Sequence, residues 1–68
     1  MASEEFNMSM RKFLKQVGVT SQQEIEMAVR AAKAAGATSD SVRARMVLSI
    51  PDIGLEHVVE TDISIGDA

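Results

Sequence analysis

The chain has 68 residues, 46% of them hydrophobic and 25% charged, with a formal net charge of −3 and no cysteine. That balance belongs to a globular chain and not to a disordered one, and the missing cysteine excludes disulfides and thiolate metal sites. A chain this short buries only about 60% of its extended surface on folding, so residues 1–68 are expected to form one domain whose thin core leans on oligomerisation or a larger partner.

The charge is unevenly spread. Arg11, Lys12, Lys15, Arg30, Lys33, Arg43 and Arg45 outweigh Glu4, Glu5, Glu24, Glu26 and Asp40, which leaves residues 1–45 at +2. The rest carries Asp52, Glu56, Glu60, Asp62 and Asp67 without a lysine or arginine and stands at −5. Such asymmetry steers orientation or partner choice. Met1 to Phe6 holds Glu4 and Glu5 where a secretory leader needs positive charge followed by an apolar run. No stretch reaches the roughly 18 apolar residues of a membrane helix. The expectation is a soluble, cytoplasmic protein without membrane attachment.

In chain order, Phe6, Met10, Phe13, Leu14 and Val17 fall in a stripe roughly 100° wide, the core-facing side of an amphipathic helix. Ser3 is placed to cap it, Glu4 and Glu5 sit at the positive end of its dipole, and Lys12 and Lys15 lie near the other end. Gly18 would end it, which predicts a first helix from about Glu4 to Val17. Ser21-Gln22-Gln23-Glu24 then has the spacing of a capping box. A second helix is expected from about Ser21 to Ala35, with Glu26 and Arg30 as an i,i+4 ion pair and Gly36 at its exit. Its main stripe is Ile25, Ala28, Val29 and Ala32. Met27, Ala31 and Ala34 make a second, narrower one, and a helix apolar on two sides is expected to be covered on two sides.

After the polar loop Ala37 to Asp40 the period changes from 3.6 to 2. Val42, Ala44, Met46, Leu48 and Ile50 alternate with Arg43, Arg45, Val47 and Ser49, and Leu55, His57, Val59, Ile63 and Ile65 alternate with Glu56, Val58, Glu60, Asp62 and Ser64. Strands are expected at about 41–50 and 55–65, joined by turn chemistry in Pro51-Asp52-Ile53-Gly54. Facing Ile50 with Leu55 pairs Arg45 with Glu60, Arg43 with Asp62 and Val47 with Val58 on the outer face. On the inner face the same register pairs Leu48 with His57, Met46 with Val59 and Val42 with Ile63. Opposite charges at two outer pairs favour it over its neighbours. The predicted fold class is α+β: two N-terminal helices as an αα-hairpin, then a C-terminal antiparallel β-hairpin, in ααββ order. Both helices would pack on one sheet face, because an isolated two-stranded sheet is marginal in water. The strand edges stay open, and two copies joined there would make a four-stranded sheet.

Gly18-Val19-Thr20 resembles the turn of the helix-turn-helix family, over about a third of the chain. The family's pattern departs at Glu24, where a buried residue is usual, and at Leu14, where a small one is. A DNA reader also neutralises phosphates with lysine and arginine, whereas Gln22, Gln23, Glu24 and Glu26 would face the groove. The acidic balance argues against nucleic acid.

Little in the sequence points to chemistry. His57 is read as a structural, semi-buried histidine opposite Leu48, and no nucleophile accompanies it. Glu56 and Glu60 read as solvated guards of a strand edge. Gly18, Gly36, Gly54 and Gly66 each fall at an element boundary, which leaves no glycine-rich phosphate loop. Met10 and Met46 fill the core. Met8 projects about 200° from Phe6, beside Lys12 and Lys15, as an exposed methionine suited to binding protein.

The segments "FNMSMRKFLKQVGVTSQQEIEMAVR", "ARMVLSI" and "LEHVVETDISI" together resemble a family of very small bacterial proteins, chiefly proteobacterial, of unknown function. The resemblance runs from Phe6 through nearly all of the chain. It implies a single-domain bacterial protein and carries over no activity or binding residue.

The sequence therefore leads to a non-enzymatic interaction module, a homodimer or the accessory subunit of a larger protein. Its candidate surface is Met8, Lys12, Lys15, Met27, Ala31 and Ala34, with no catalytic, cofactor-binding or metal-binding residue. The alternative is a nucleic-acid-binding regulator using the helix-turn-helix-like segment 14–33 through Gln22, Gln23, Arg30 and Lys33.

Overall fold

Ser3 starts the first helix as its position predicts. In the computed structural model, which describes residues 3–66, the Ser3 hydroxyl oxygen accepts the Phe6 amide at 3.0 Å, and Glu4 and Glu5 occupy the first turn. Met1 and Ala2, part of the leader argument, and Asp67, part of the acidic C-terminal charge, lie outside the described residues.

This helix, α1, runs unbroken from Glu4 to Ala34, about 46 Å at 1.5 Å per residue. The expected αα-hairpin is not formed. Gly18 ends no helix, Ser21 caps none, and the order of elements is one helix followed by two strands. The physical reason is phase. At about 100° per residue the stripe from Phe6 to Val17 and the stripe from Ile25 to Ala32 point the same way, because Val17 and Ala28 are eleven residues, or about three turns, apart. One straight helix therefore keeps both stripes on one side, and it retains the backbone hydrogen bonds that a turn would break. Keeping Gly18 inside costs only about 1 kcal/mol relative to alanine.

The polar side chains of the presumed turn are absorbed into the helix. The Thr20 hydroxyl donates to the Gln16 carbonyl oxygen one turn back at 2.8 Å. The Gln22 amide donates to Glu26 Oε1 at 3.1 Å, and Arg30 lies 3.9 Å from Glu26 Oε2, the expected i,i+4 pair. At the C-terminal end the Ala35 amide donates to the Ala31 carbonyl oxygen, and Gly36 leaves the helix at φ +98°, a left-handed value that glycine adopts without penalty.

The chain divides into two compact units, Met1–Ala35 and Gly36–Ala68. The second unit is the β-hairpin. Strands β1 (Ser41–Ile50) and β2 (Leu55–Ser64) pair antiparallel in the register expected from the charges, from Ser41 opposite Ser64 to Ile50 opposite Leu55. Pro51–Ile53 forms a single 3₁₀ turn, and Gly54 closes it at φ +66° with its amide donating to the Pro51 carbonyl oxygen at 3.1 Å. Strand β2 ends one residue earlier than expected. Ile65 lies just beyond it, its amide donating to the Asp40 carbonyl oxygen at 2.7 Å.

The two faces of the hairpin differ as the alternation predicts. Ala44, Leu48 and Ile63 are half-buried and Ile65 is 4% exposed, all four on the inner face. On the outer face Arg43 donates to Glu60 at 3.1 Å and to Asp62 at 3.3 Å, while Arg45 Nε donates to Glu60 at 3.2 Å. Glu60 is thus not the solvated edge guard expected of it; two arginines from the opposite strand hold it. These side chains stay between 41% and 66% exposed, so each bond contributes at most about 1 kcal/mol. Their larger effect is on register, since a slip of one residue would turn the arginines to the inner face.

Two glycine substitutions should move stability in opposite directions. An added Cβ at Gly18 meets nothing within 4 Å, so Gly18→Ala is expected to raise the thermal midpoint by the equivalent of about 1 kcal/mol, followed by circular dichroism. Gly54→Ala, at a left-handed position, is expected to lower it by about as much. A destabilised Gly18→Ala would restore Gly18 as a helix terminus. Glu60→Gln should destabilise the hairpin at low salt and much less at 1 M salt, where the Debye length falls to about 3 Å.

Candidate interaction surface

On a continuous helix the two stripes become one surface. Taking Phe6 as the origin and about 100° per residue, Phe6, Met10, Phe13, Leu14, Val17, Ile25, Ala28 and Ala32 fall in a band roughly 120° wide. The sequence placed these side chains in a core, but no residue of α1 is buried. Phe6 is 54% exposed, Phe13 49% and Leu14 50%. Burying one such side chain fully stabilises by about 1.5–3 kcal/mol. Five large side chains left near half-exposed therefore leave on the order of 5 kcal/mol unrealised, comparable to the whole stability of a small domain.

The band has an internal gradient. Its N-terminal half carries Phe6, Met10, Phe13, Leu14 and Val17; its C-terminal half carries Ile25 and the small Ala28 and Ala32. Ser21 lies between the halves. Glu24, eighteen residues or about five turns from Phe6, falls inside the band and brings a charge into it.

The surfaces expected from the sequence are distributed differently. Met8, 66% exposed, shares with Lys12 and Lys15 the side of α1 opposite the apolar band. Met27, 58% exposed, lies with Ala34 on the band's flank, some twelve residues further along, and Ala31, eighteen residues or about five turns from Phe13, falls at the band's edge. The six do not form one patch. The candidate nucleic-acid residues Gln22, Gln23, Arg30 and Lys33 share the side opposite the band, with Glu26 in their midst. Glu26 engages both Gln22 and Arg30. No turn precedes them, so the helix-turn-helix geometry is absent and there is no free helix end at Ser21 to enter a groove.

In the hairpin, His57 stands opposite Leu48 as expected but is exposed and not semi-buried, and Ile50 and Leu55 nearer the turn are 36% and 39% exposed. Met46 and Val59 face each other there at 45% and 50% exposure, and Ile53 at the tip is 73% exposed. Among the described residues no group of three His, Cys, Asp or Glu side chains could hold a metal ion, and no helix is long and apolar enough to cross a membrane.

One long amphipathic helix followed by an antiparallel β-hairpin defines an α+β protein. A family model spans residues 1–66, and the chain belongs to that family, the family of unknown function DUF6494. No curated protein and no solved structure matches the chain.

Sequence reasoning missed that the stripe is a surface. The signal was present in the eleven-residue spacing between Val17 and Ala28, which aligns two stripes that the glycine and the capping box had assigned to separate helices. For His57 the exposure leads to a simple expectation. His57→Gln should change unfolding free energy by no more than about 0.5 kcal/mol in urea titration, and a loss above about 2 kcal/mol would mean that the side chain is packed.

Proposed function

We propose that this chain is a non-enzymatic interaction module, a homodimer or the small accessory subunit of a larger assembly, acting in the cytoplasm through the apolar face of α1. The observation that carries the reading is the band from Phe6 to Ala32, in which large side chains remain about half-exposed along the length of the helix. Contiguous exposed apolar surface of this kind marks interaction sites in soluble proteins. A helix with anchors spaced at i, i+3, i+4 and i+7 is the usual form in which such a face enters a partner's groove or a helical seam. The exposed His57 and the arginine-bound Glu60 and Asp62 support a role without catalysis, since each is accounted for by position or pairing in the hairpin.

The test combines capture and sedimentation of the full chain. A tagged copy recovered from its native cells is expected to bring down a stoichiometric partner, itself or another protein, and Phe13→Glu is expected to release that partner while leaving the hairpin folded by NMR. A wild-type chain that sediments as a folded monomer, and whose captured proteins are unchanged by Phe13→Glu, would overturn the reading.

A further inference from the structure

We infer that the occupant of the α1 face is the same helix of a second copy, running antiparallel and centred near Val19. The inference rests on the interaction-module reading and adds to it the partner and the direction. Three features of α1 lead to it, and each is a comparison between the two ways in which identical helices can align.

The first is volume. An antiparallel pair centred on Val19 brings residue i level with residue 38 − i of the other copy, a relation that follows from the 31-residue length of Glu4–Ala34. It sets Phe6 against Ala32 and Met10 against Ala28, large on small at both ends of the seam, with Phe13 against Ile25 between them. All six lie in the apolar band. A parallel pair sets Phe6 on Phe6 and Ala28 on Ala28, too wide at one end and hollow at the other, which close packing disfavours.

The second is charge along the axis. Arg11, Lys12 and Lys15 form a basic segment, and Glu24 and Glu26 an acidic one. Antiparallel alignment puts the basic segment of each copy at the level of the acidic segment of the other, Lys12 level with Glu26, and sets Glu5 level with Lys33. Parallel alignment stacks basic on basic and acidic on acidic. Lys12, Lys15, Glu26 and Lys33 lie on the side away from the seam, so the match acts along the axis as a salt-screened preference and not through ion pairs across it. Moving one helix by a turn, so that residue i meets 42 − i, brings Lys12 level with Arg30 and loses the match.

The third is Glu24, the charge inside the band. In a parallel pair it meets its own copy across an apolar seam, with like charges in a partly desolvated place. In the antiparallel pair it is level with Leu14, and Arg11 and Lys15 lie within one turn of that level. The two copies then use the same surface reciprocally, as a two-fold dimer requires.

A chain without cysteine makes the direction directly readable. Met10→Cys and Ala28→Cys are made as separate single variants of the full chain. The facing Cα atoms of a close helix pair fall within the 4.4–6.8 Å that a disulfide needs. Antiparallel pairing predicts that an equimolar mixture, mildly oxidised, gives mainly the mixed disulfide, while each variant alone gives little, its two cysteines being about 27 Å apart along the axis. Efficient disulfide formation by Met10→Cys alone would mean a parallel pair and overturn the inference. So would a wild-type chain that sediments as a monomer at 100 µM, together with no disulfide in any combination. If that monomer nevertheless captures another protein, and Phe13→Glu abolishes the capture, the second copy is excluded and the interaction-module reading stands.

Discussion

The rest of the structure depends on the angular agreement between two short apolar stripes in the N-terminal half. The first ends at Val17 and the second begins at Ile25, with glycine, threonine and a capping-box spacing between them. An α-helix turns through nearly three full revolutions in eleven residues, so the interruption does not change the direction in which the apolar side chains point. Continuity is then the low-energy choice, and the penalty for one interior glycine is smaller than the hydrogen bonds a turn would forgo. The choice also determines the exposed band. Two short helices would have been free to fold their stripes against each other, whereas one straight helix keeps both stripes on one side and cannot cover them with itself.

The hairpin is governed by a different rule. Its ten pairs are fixed by an alternation of period two and by two arginines that both face carboxylates in only one register. The ion pairs are exposed and individually weak, so their contribution is selective more than energetic. The result is an ordered two-stranded sheet, and Ile65, just past its second strand, is the one buried side chain among the described residues. Both halves of the chain therefore meet their local hydrogen-bonding requirements while large apolar side chains stay near half-exposed.

How much of this was legible in the sequence differs between the halves. The strands, their register, the Gly54 turn and the Ser3 cap were readable because each rests on contacts between residues that the sequence places in a fixed geometric relation. The extent of α1 was not, because capping and termination signals are local preferences worth about 1 kcal/mol each, and the competing signal, phase, appears only when two stripes are compared across the gap. The exposure of the stripe was not legible for a related reason. An amphipathic stripe states that a face must be covered and leaves open by what. Phe6, Phe13 and Leu14 carry the same pattern whether the cover lies in the same chain or in another.

The bond between the Ile65 amide and the Asp40 carbonyl oxygen gives the hairpin an unusual mechanical character. A two-stranded ribbon ordinarily opens at the end remote from its turn, where nothing constrains the strands once the last ladder bond breaks. Here that end is fastened by a 2.7 Å bond lying next to the most deeply covered side chain of the described residues. The ribbon is clasped at both extremities, so unzipping from its free end meets the firmest part of the unit first. Transient opening is displaced toward the central pairs Met46–Val59 and Val47–Val58, whose side chains are 40–50% exposed. The unit behaves less like a hinged flap than like a closed loop of chain whose slack is in its middle.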